Sequence, residues 1–205
     1  MLIELTEEQK LIRDTACEFA EKELAPRASE MDRAKQIPKK IFDQLAELGF
    51  WGILVPEEYG GAGLNHSSLV IVLEEISRAY ASTSVMLSVH NSLACGSILK
   101  YGTPAQKQKY LPRLARGELI GAFALTEPNA GSDAGSLETR AVRDGKHYIL
   151  NGTKIFITSG PICGLMIVFA RTHPDKSLRG KGVSAFLVEP GLKGIKRGQI
   201  GRAHV

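Results

Sequence analysis

Cysteine is scarce. Cys17, Cys95 and Cys163 are the only three in 205 residues, odd in number and far apart. No C-x-x-C spacing occurs, so neither a disulfide framework nor a zinc site is indicated. Charge of one sign is also lacking: 26 basic against 22 acidic residues give a formal net charge of +4. With no Lys/Arg block interleaved with aromatics, nucleic acid is not suggested, whereas an anionic small ligand stays compatible. The longest apolar stretch, "STSVMLSVHNSLACGSILKYG", is broken by Ser88, His90, Asn91 and Ser92, and reads as a buried helix rather than a membrane span. The N-terminal "MLIELTEEQK" has no basic region leading into an apolar one, so it is not a secretory signal. The expected location is cytoplasmic, or the mitochondrial matrix after removal of a presequence. G-x-S-x-G, H-E-x-x-H and Walker loops are all absent, which removes the simplest hydrolase and nucleoside-triphosphatase readings.

What is present is an ordinary globular balance, 43% hydrophobic and 23% charged, able to bury a core. The first part has a helical period. Thr6-Glu7-Glu8-Gln9 has the capping-box pattern, and Leu11, Ile12, Ala16, Phe19 and Leu24 follow at helical spacing until Pro26, where an interruption is expected. A second helix is expected near Pro38, with Ile41, Leu45 and Leu48 on its apolar stripe and Gly49 capping its end. Two more are expected at about 67–80 and 82–100, and a fifth from Thr103 to about Gly117.

From Leu119 onward the period shortens. The runs "LIGAFALT", "ETRAV", "HYILNG", "KIFIT", "LMIVFAR" and "VSAFLVE" read as strands, and Asp144-Gly145 and Asn151-Gly152 as hairpin turns. The expected class is α+β: an all-α domain over residues 1–118, then an antiparallel β domain over 119–199. The last six residues, 200–205, are expected to be non-native. Ile-Gly-Arg-Ala-His-Val is what a common sequencing-library adapter (ATCGGAAGAGCACACGTC) encodes in one frame.

Several conspicuous features have plain structural readings. "GGAGLN", Gly60 to Asn65, lacks the strand and third glycine of a dinucleotide loop and reads as a turn. Glu21/Glu23 and Glu74/Glu75 read as solvated helix faces. His90, without a His/Asp/Cys cluster, reads as a core histidine.

Two stretches are less easily set aside. In "ALTEPNAGSDAGS", Ala124 to Ser136, Thr126 sits where a strand gives way to a turn. Gly131, Ser132 and Gly135 allow close backbone approach and an anion nest. Glu127 and Asp133 repel bare phosphate, so they read as groups that fix the loop through backbone or neighbouring side chains. By composition alone a long turn and a ligand loop fit equally. In "NGTKIFITSG", Asn151 to Gly160, Phe156 beside Thr158 and Ser159 suits a flat heteroaromatic ring with polar edges. A core Phe with an edge-strand Thr suits it equally.

Taken together these stretches resemble the acyl-CoA dehydrogenase family. "ALTEPNAGSDAGS" fits the family's first signature at every constrained position. "PEEYGGAG", "ILKYGTPAQKQKYLPRLARGE" and "NGTKIFITSG" follow the family in order. The resemblance covers essentially residues 2 to 199 and is nearest to short-chain, butyryl-CoA-type members. It implies an N-terminal helical domain, a middle β domain and a C-terminal helical bundle that this sequence does not contain. It implies FAD as cofactor, a fatty acyl-CoA thioester as substrate, α,β-dehydrogenation to the trans-2-enoyl-CoA, transfer of electrons to an electron-transfer flavoprotein, and a homotetramer. By the same resemblance Phe123, Leu125, Thr126 and Gly131 are FAD positions, with the Leu125 backbone and the Thr126 hydroxyl and backbone at the ring's N1–C2=O edge. Phe156 packs on the ring, Ile157 accompanies it, and Thr158 reaches the N5/O4 side. Ser132 is implied for both the FAD pyrophosphate and the CoA substrate.

The sequence departs from the family in two places: Phe156 where Trp is common, and Ser159 where Asn is common. The catalytic carboxylate of the family belongs to the C-terminal domain and has no match here, so the chain alone is expected to be inactive and to hold FAD weakly. Acyl-CoA oxidases, nitroalkane oxidase-like enzymes and flavin monooxygenases share the scaffold. A non-catalytic acyl-CoA-binding module is the alternative from outside enzymes.

Overall fold

The computed structural model describes residues 4–198, and the chain divides into two compact units, Met1–Leu119 and Ile120–Val205. The expectation of a non-native segment at 200–205 falls outside the described residues, as does Gln199.

The first unit is helical. Helix α1 (Glu7–Phe19) opens on the expected capping box: Thr6 Oγ1 accepts from the Gln9 N–H, and Gln9 Oε1 accepts from the Thr6 N–H. Pro26 does not end the helical path. The chain continues through a π-turn (Ala20–Leu24) and a 3-10 turn (Ala25–Arg27) into α2 (Ala28–Ala34). The physical reason lies in the widened turn. The Ala25 N–H reaches back to Ala20 O, and Pro26 falls in the first positions of a new turn, where a missing N–H is tolerated. Helix α3 (Lys39–Glu47) follows Pro38 and buries Ile41 and Leu45. It is closed by Gly49, whose φ of 72° lets its N–H meet Ala46 O at 3.0 Å.

"GGAGLN" is a turn, with Gly60 and Gly63 left-handed. It ends in a cap, Asn65 Oδ1 accepting from the Ser68 N–H at 3.0 Å. Helix α4 (His66–Ser88) contains one non-helical residue, Tyr80 (φ −156°, ψ 98°), where the two helices expected there meet at a kink. The Ser77 and Ser84 hydroxyls lie 2.7 Å apart, and Ser84 donates to Leu73 O, so hydrogen bonds bridge the kink. A π-turn (Val89–Cys95), α5 (Gly96–Tyr101) and α6 (Pro104–Ala115) complete the unit. Its core centres on the fully buried Trp51. The indole donates to Phe42 O and meets His90 edge-on at 5.0 Å. His90 is fully buried with Nε2 3.2 Å from Leu114 O, a core histidine as expected. Burial pushes its pKa down to about 4.

The second unit carries β1 (Gly121–Ala124), β2 (Arg140–Asp144), β3 (His147–Asn151), β4 (Leu165–Arg171) and β5 (Val183–Val188). The sheet is mixed, not antiparallel as expected. β4 is its centre: β5 lies antiparallel on one edge, and β1 lies parallel along residues 165–168 on the other. β2 joins in parallel at Arg140↔Arg171. Since β5 occupies the opposite edge at Arg171, β1 and β2 share one edge of β4. The long path from β1 back to β4 is what permits a parallel pair, because such pairs need a crossover of about a dozen residues or more. β2 and β3 form the expected hairpin over Gly145. Asn151-Gly152 does not turn into another strand. "KIFIT" is irregular backbone, because Phe156 and Ser159 adopt positive φ values of 55° and 62° that no strand accommodates.

Candidate functional site

The topology gives the loop "ALTEPNAGSDAGS" its setting. Residues 125–139 leave one edge of β4 where β1 ends and return to the same edge at β2. The return is stitched by the Arg171 N–H to Thr139 O at 2.7 Å. Within the loop, Glu127 and Ala130 exchange two backbone hydrogen bonds. The Ser136 N–H and hydroxyl both donate to Asp133 O.

Glu127 is 5% exposed. It accepts from the N–H groups of Glu138 and Thr139 and from Lys154 Nζ at 2.7 Å. Burial opposes its ionisation, but the Lys154 ammonium and these N–H groups outweigh it, holding the carboxyl below the usual range. Asp133 pairs with Arg179. Both acidic residues therefore fix the loop. A second strap sits at its far end. Arg171, 7% exposed, donates to Gly135 O at 2.9 Å and to the carbonyls of Arg179 and Leu137.

The structure brings the two suspected stretches together. The Ile155 N–H donates to Thr126 O at 2.9 Å, and Lys154 Nζ donates to Leu125 O at 2.9 Å. With both carbonyls engaged, Thr126 keeps its N–H and hydroxyl free of hydrogen bonds to other described residues. Phe156 is 73% exposed and left-handed, a genuine outlier for a bulky side chain. Such strain is found where the surroundings over-determine a functional position. Ser159 is left-handed too, and Asn tolerates that conformation better than Ser, which gives the Asn-to-Ser departure a physical meaning.

Ile157 and Thr158 are half-buried in the turn that follows, held by the Gly160 N–H on Ile157 O. Phe123 packs on Phe169, ring centres 4.9 Å apart. Gly131 and Ser132 lie exposed on the loop, and a Cβ on Gly131 would meet nothing within 4 Å. Among the described residues, no hydrogen bond ties Ser132 to the Phe156 segment. An exposed aromatic face, two hydroxyls, an unused N–H and a bare glycine backbone together suit a flat ring with acceptor edges and an anionic extension.

Some residues were not singled out by their sequence pattern. Lys154, half-buried, and the buried Arg171 carry two cations of the site. Their one available signal was a charged residue inside or ending an apolar run. Beside the loop's return, Arg140, Arg143, Arg171, His173, Lys176 and Tyr148 line a groove of about 570 Å³. It is basic, and β2 read alone suggests only solvated arginines. No group of three or more His, Cys, Asp or Glu capable of holding a metal occurs among the described residues. No described helix is long and apolar enough to cross a membrane.

Residues 6–118 match the family described as "Acyl-CoA dehydrogenase, N-terminal domain", and residues 122–204 match "Acyl-CoA dehydrogenase, middle domain". The chain is 46% identical over 196 residues to the short-chain specific acyl-CoA dehydrogenase of Clostridium acetobutylicum, covering 96% of this chain and 51% of that one. It is 46% identical over 198 residues to acryloyl-CoA reductase (NADH) of Anaerotignum propionicum, covering 96% and 50%. It superposes on a glutaryl-CoA dehydrogenase from Mycobacterium smegmatis in complex with FADH2, with TM-score 0.88 and 34% identity, covering 97% and 49%. The chain thus spans about half the length of the relatives it matches. A helical unit and a mixed-sheet unit in the family's order, and a signature loop stitched to "KIFITSG", agree with these matches: the chain belongs to the acyl-CoA dehydrogenase family.

Proposed function

We propose that the protein is an FAD-dependent enzyme that converts a fatty acyl-CoA thioester to its trans-2-enoyl-CoA, with this chain holding the flavin ring. The observation that carries the reading is the hydrogen bond from the Ile155 N–H to Thr126 O. It sets the unused donors of Thr126 beside the segment that exposes Phe156. FAD, when bound, supplies the hydride acceptor for the β hydrogen of the substrate. The Thr126 N–H and hydroxyl and the Leu125 backbone serve the N1–C2=O edge, where fixed donors stabilise developing negative charge without reorganising. Phe156 covers the ring with less area than Trp offers, and Thr158 meets the N5/O4 side. The backbone at Gly131 and the Ser132 hydroxyl serve the pyrophosphate, and Ser132 also lies toward the CoA moiety. The basic groove by Arg140 and Lys176 is in keeping with a polyanionic substrate.

Glu127 is not the base. It is held charged, its two oxygens taken up by Lys154 and the N–H groups of Glu138 and Thr139. The α-proton is taken by a carboxylate outside this sequence. Electron-transfer flavoprotein is the proposed electron partner, and a homotetramer the proposed assembly. The test is anaerobic addition of butyryl-CoA to the complete holoenzyme. Bleaching of the visible flavin band with formation of the enoyl product supports the reading, and no bleaching with acyl-CoAs of any chain length contradicts it.

A second reading, reduction of an acrylate-type double bond, is favoured by the similarity to an acryloyl-CoA reductase. It uses the same site in reverse and is distinguished by oxidation of pre-reduced enzyme with an enoyl-CoA in preference to reduction by the acyl-CoA.

A further inference from the structure

Lys154 and Glu127 are 11% and 5% exposed, joined at 2.7 Å. The same ammonium lies 2.9 Å from Leu125 O. That carbonyl belongs to the amide whose N–H is Thr126's. The amide is one delocalised unit, so a cation on its oxygen draws electron density from nitrogen and strengthens the N–H as a donor, as linked hydrogen bonds polarise one another. Burial keeps salt from screening the charge. Glu127 anchors the ammonium and, through Glu138 and Thr139, the loop itself.

We propose that Lys154 is a positioning residue that polarises the Leu125–Thr126 amide and thereby shifts the bound isoalloxazine toward its reduced, anionic form. This rests on the reading that the Thr126 N–H meets the ring edge. A merely structural ion pair has a different signature: replacing both partners changes stability little and leaves the flavin potential where it was.

The experiment measures the reduction potential of the holoenzyme's flavin, without substrate, in four proteins: wild type, Lys154→Arg, Lys154→Gln, and the double variant Glu127→Gln/Lys154→Met. The double variant removes both charges and so avoids a stranded carboxylate. The expected result is a loss of about tenfold in the preference for reduced over oxidised FAD, a fall of about 30 mV for two electrons. Lys154→Arg keeps the wild-type potential, and Lys154→Gln, which removes the cation and strands the Glu127 carboxylate, falls at least as far as the double variant. An unchanged potential in the double variant overturns the proposal. If that variant does not fold, an unchanged potential in Lys154→Gln overturns it equally. Wild-type protein that binds no flavin overturns the ring-edge reading instead, and the polarising role with it.

Discussion

Lys154→Met isolates the buried pair at the centre of the site. The substitution keeps most of the side-chain volume and removes the ammonium. Glu127 is then left 5% exposed and charged, and Leu125 O loses its partner. Removing one member of a buried pair typically costs about 3–5 kcal/mol. Glu127 retains the Glu138 and Thr139 N–H groups, so the loss belongs at the low end, about 3 kcal/mol. The pH dependence reverses sign between the two proteins. In wild type the Glu127 pKa is depressed on folding, so its contribution is present above the unfolded carboxyl pKa and is lost as pH falls through the folded value. In the variant the stranded carboxyl is raised, so that protein loses stability as pH rises through the raised pKa. The deficit is therefore largest near pH 7 and narrows toward pH 5. Urea denaturation of both proteins at the two pH values, with urea midpoints converted through a common m-value, measures it. A deficit below about 0.5 kcal/mol at pH 7, against the loss expected for a broken buried pair, refutes the reasoning. So does a deficit of equal size at both pH values.

Three further outcomes follow from other positions. His90 titrates near 4 when folded, against 6.5 unfolded; its contribution is intact above pH 6.5 and declines as pH falls toward 4, by up to about 3 kcal/mol. His90→Gln is expected to flatten that part of the acid-stability curve, measured by thermal melts. Gly117 has φ +70°, and a Cβ there would lie 2.5 Å from Trp51 Cδ1. Gly117→Ala is expected to lose at least about 2 kcal/mol through overpacking and left-handed strain, read by denaturant midpoint. Phe156→Gly relieves the strain of a left-handed aromatic, worth about 1 kcal/mol; a gain in stability together with a weaker flavin complex is the expected pair of results.

The sequence was most informative where a local interaction decides structure. The box at Thr6 was visible because cap and partner lie three residues apart. Pro26 marked the break in regular α-helix, which falls in the 3-10 turn Ala25–Arg27, but not the continuation into α2, which the preceding π-turn with its buried Ala20 and Leu24 allows. The antiparallel expectation failed because hairpin signals report neighbours in sequence, whereas β1 and β4 meet across a long crossover. "KIFIT" has a strand's composition, yet Phe156 is left-handed and a turn at Ser159 follows it, neither of which its residue types announce. Glu127 was legible as a loop-fixing residue, but its partner was not. Lys154 lies 27 residues away, and only the fold brings it to Leu125.

The most direct test of the account is a titration of the protein with FAD, followed by the visible absorption of the ring, for wild type and Thr126→Val. The account predicts saturable binding that perturbs the visible band. It also predicts that the variant, with its hydroxyl gone and its shape kept, binds on the order of tenfold more weakly, the loss expected for a hydrogen bond to the ring edge. Superimposable isotherms and spectra for the two proteins would contradict it.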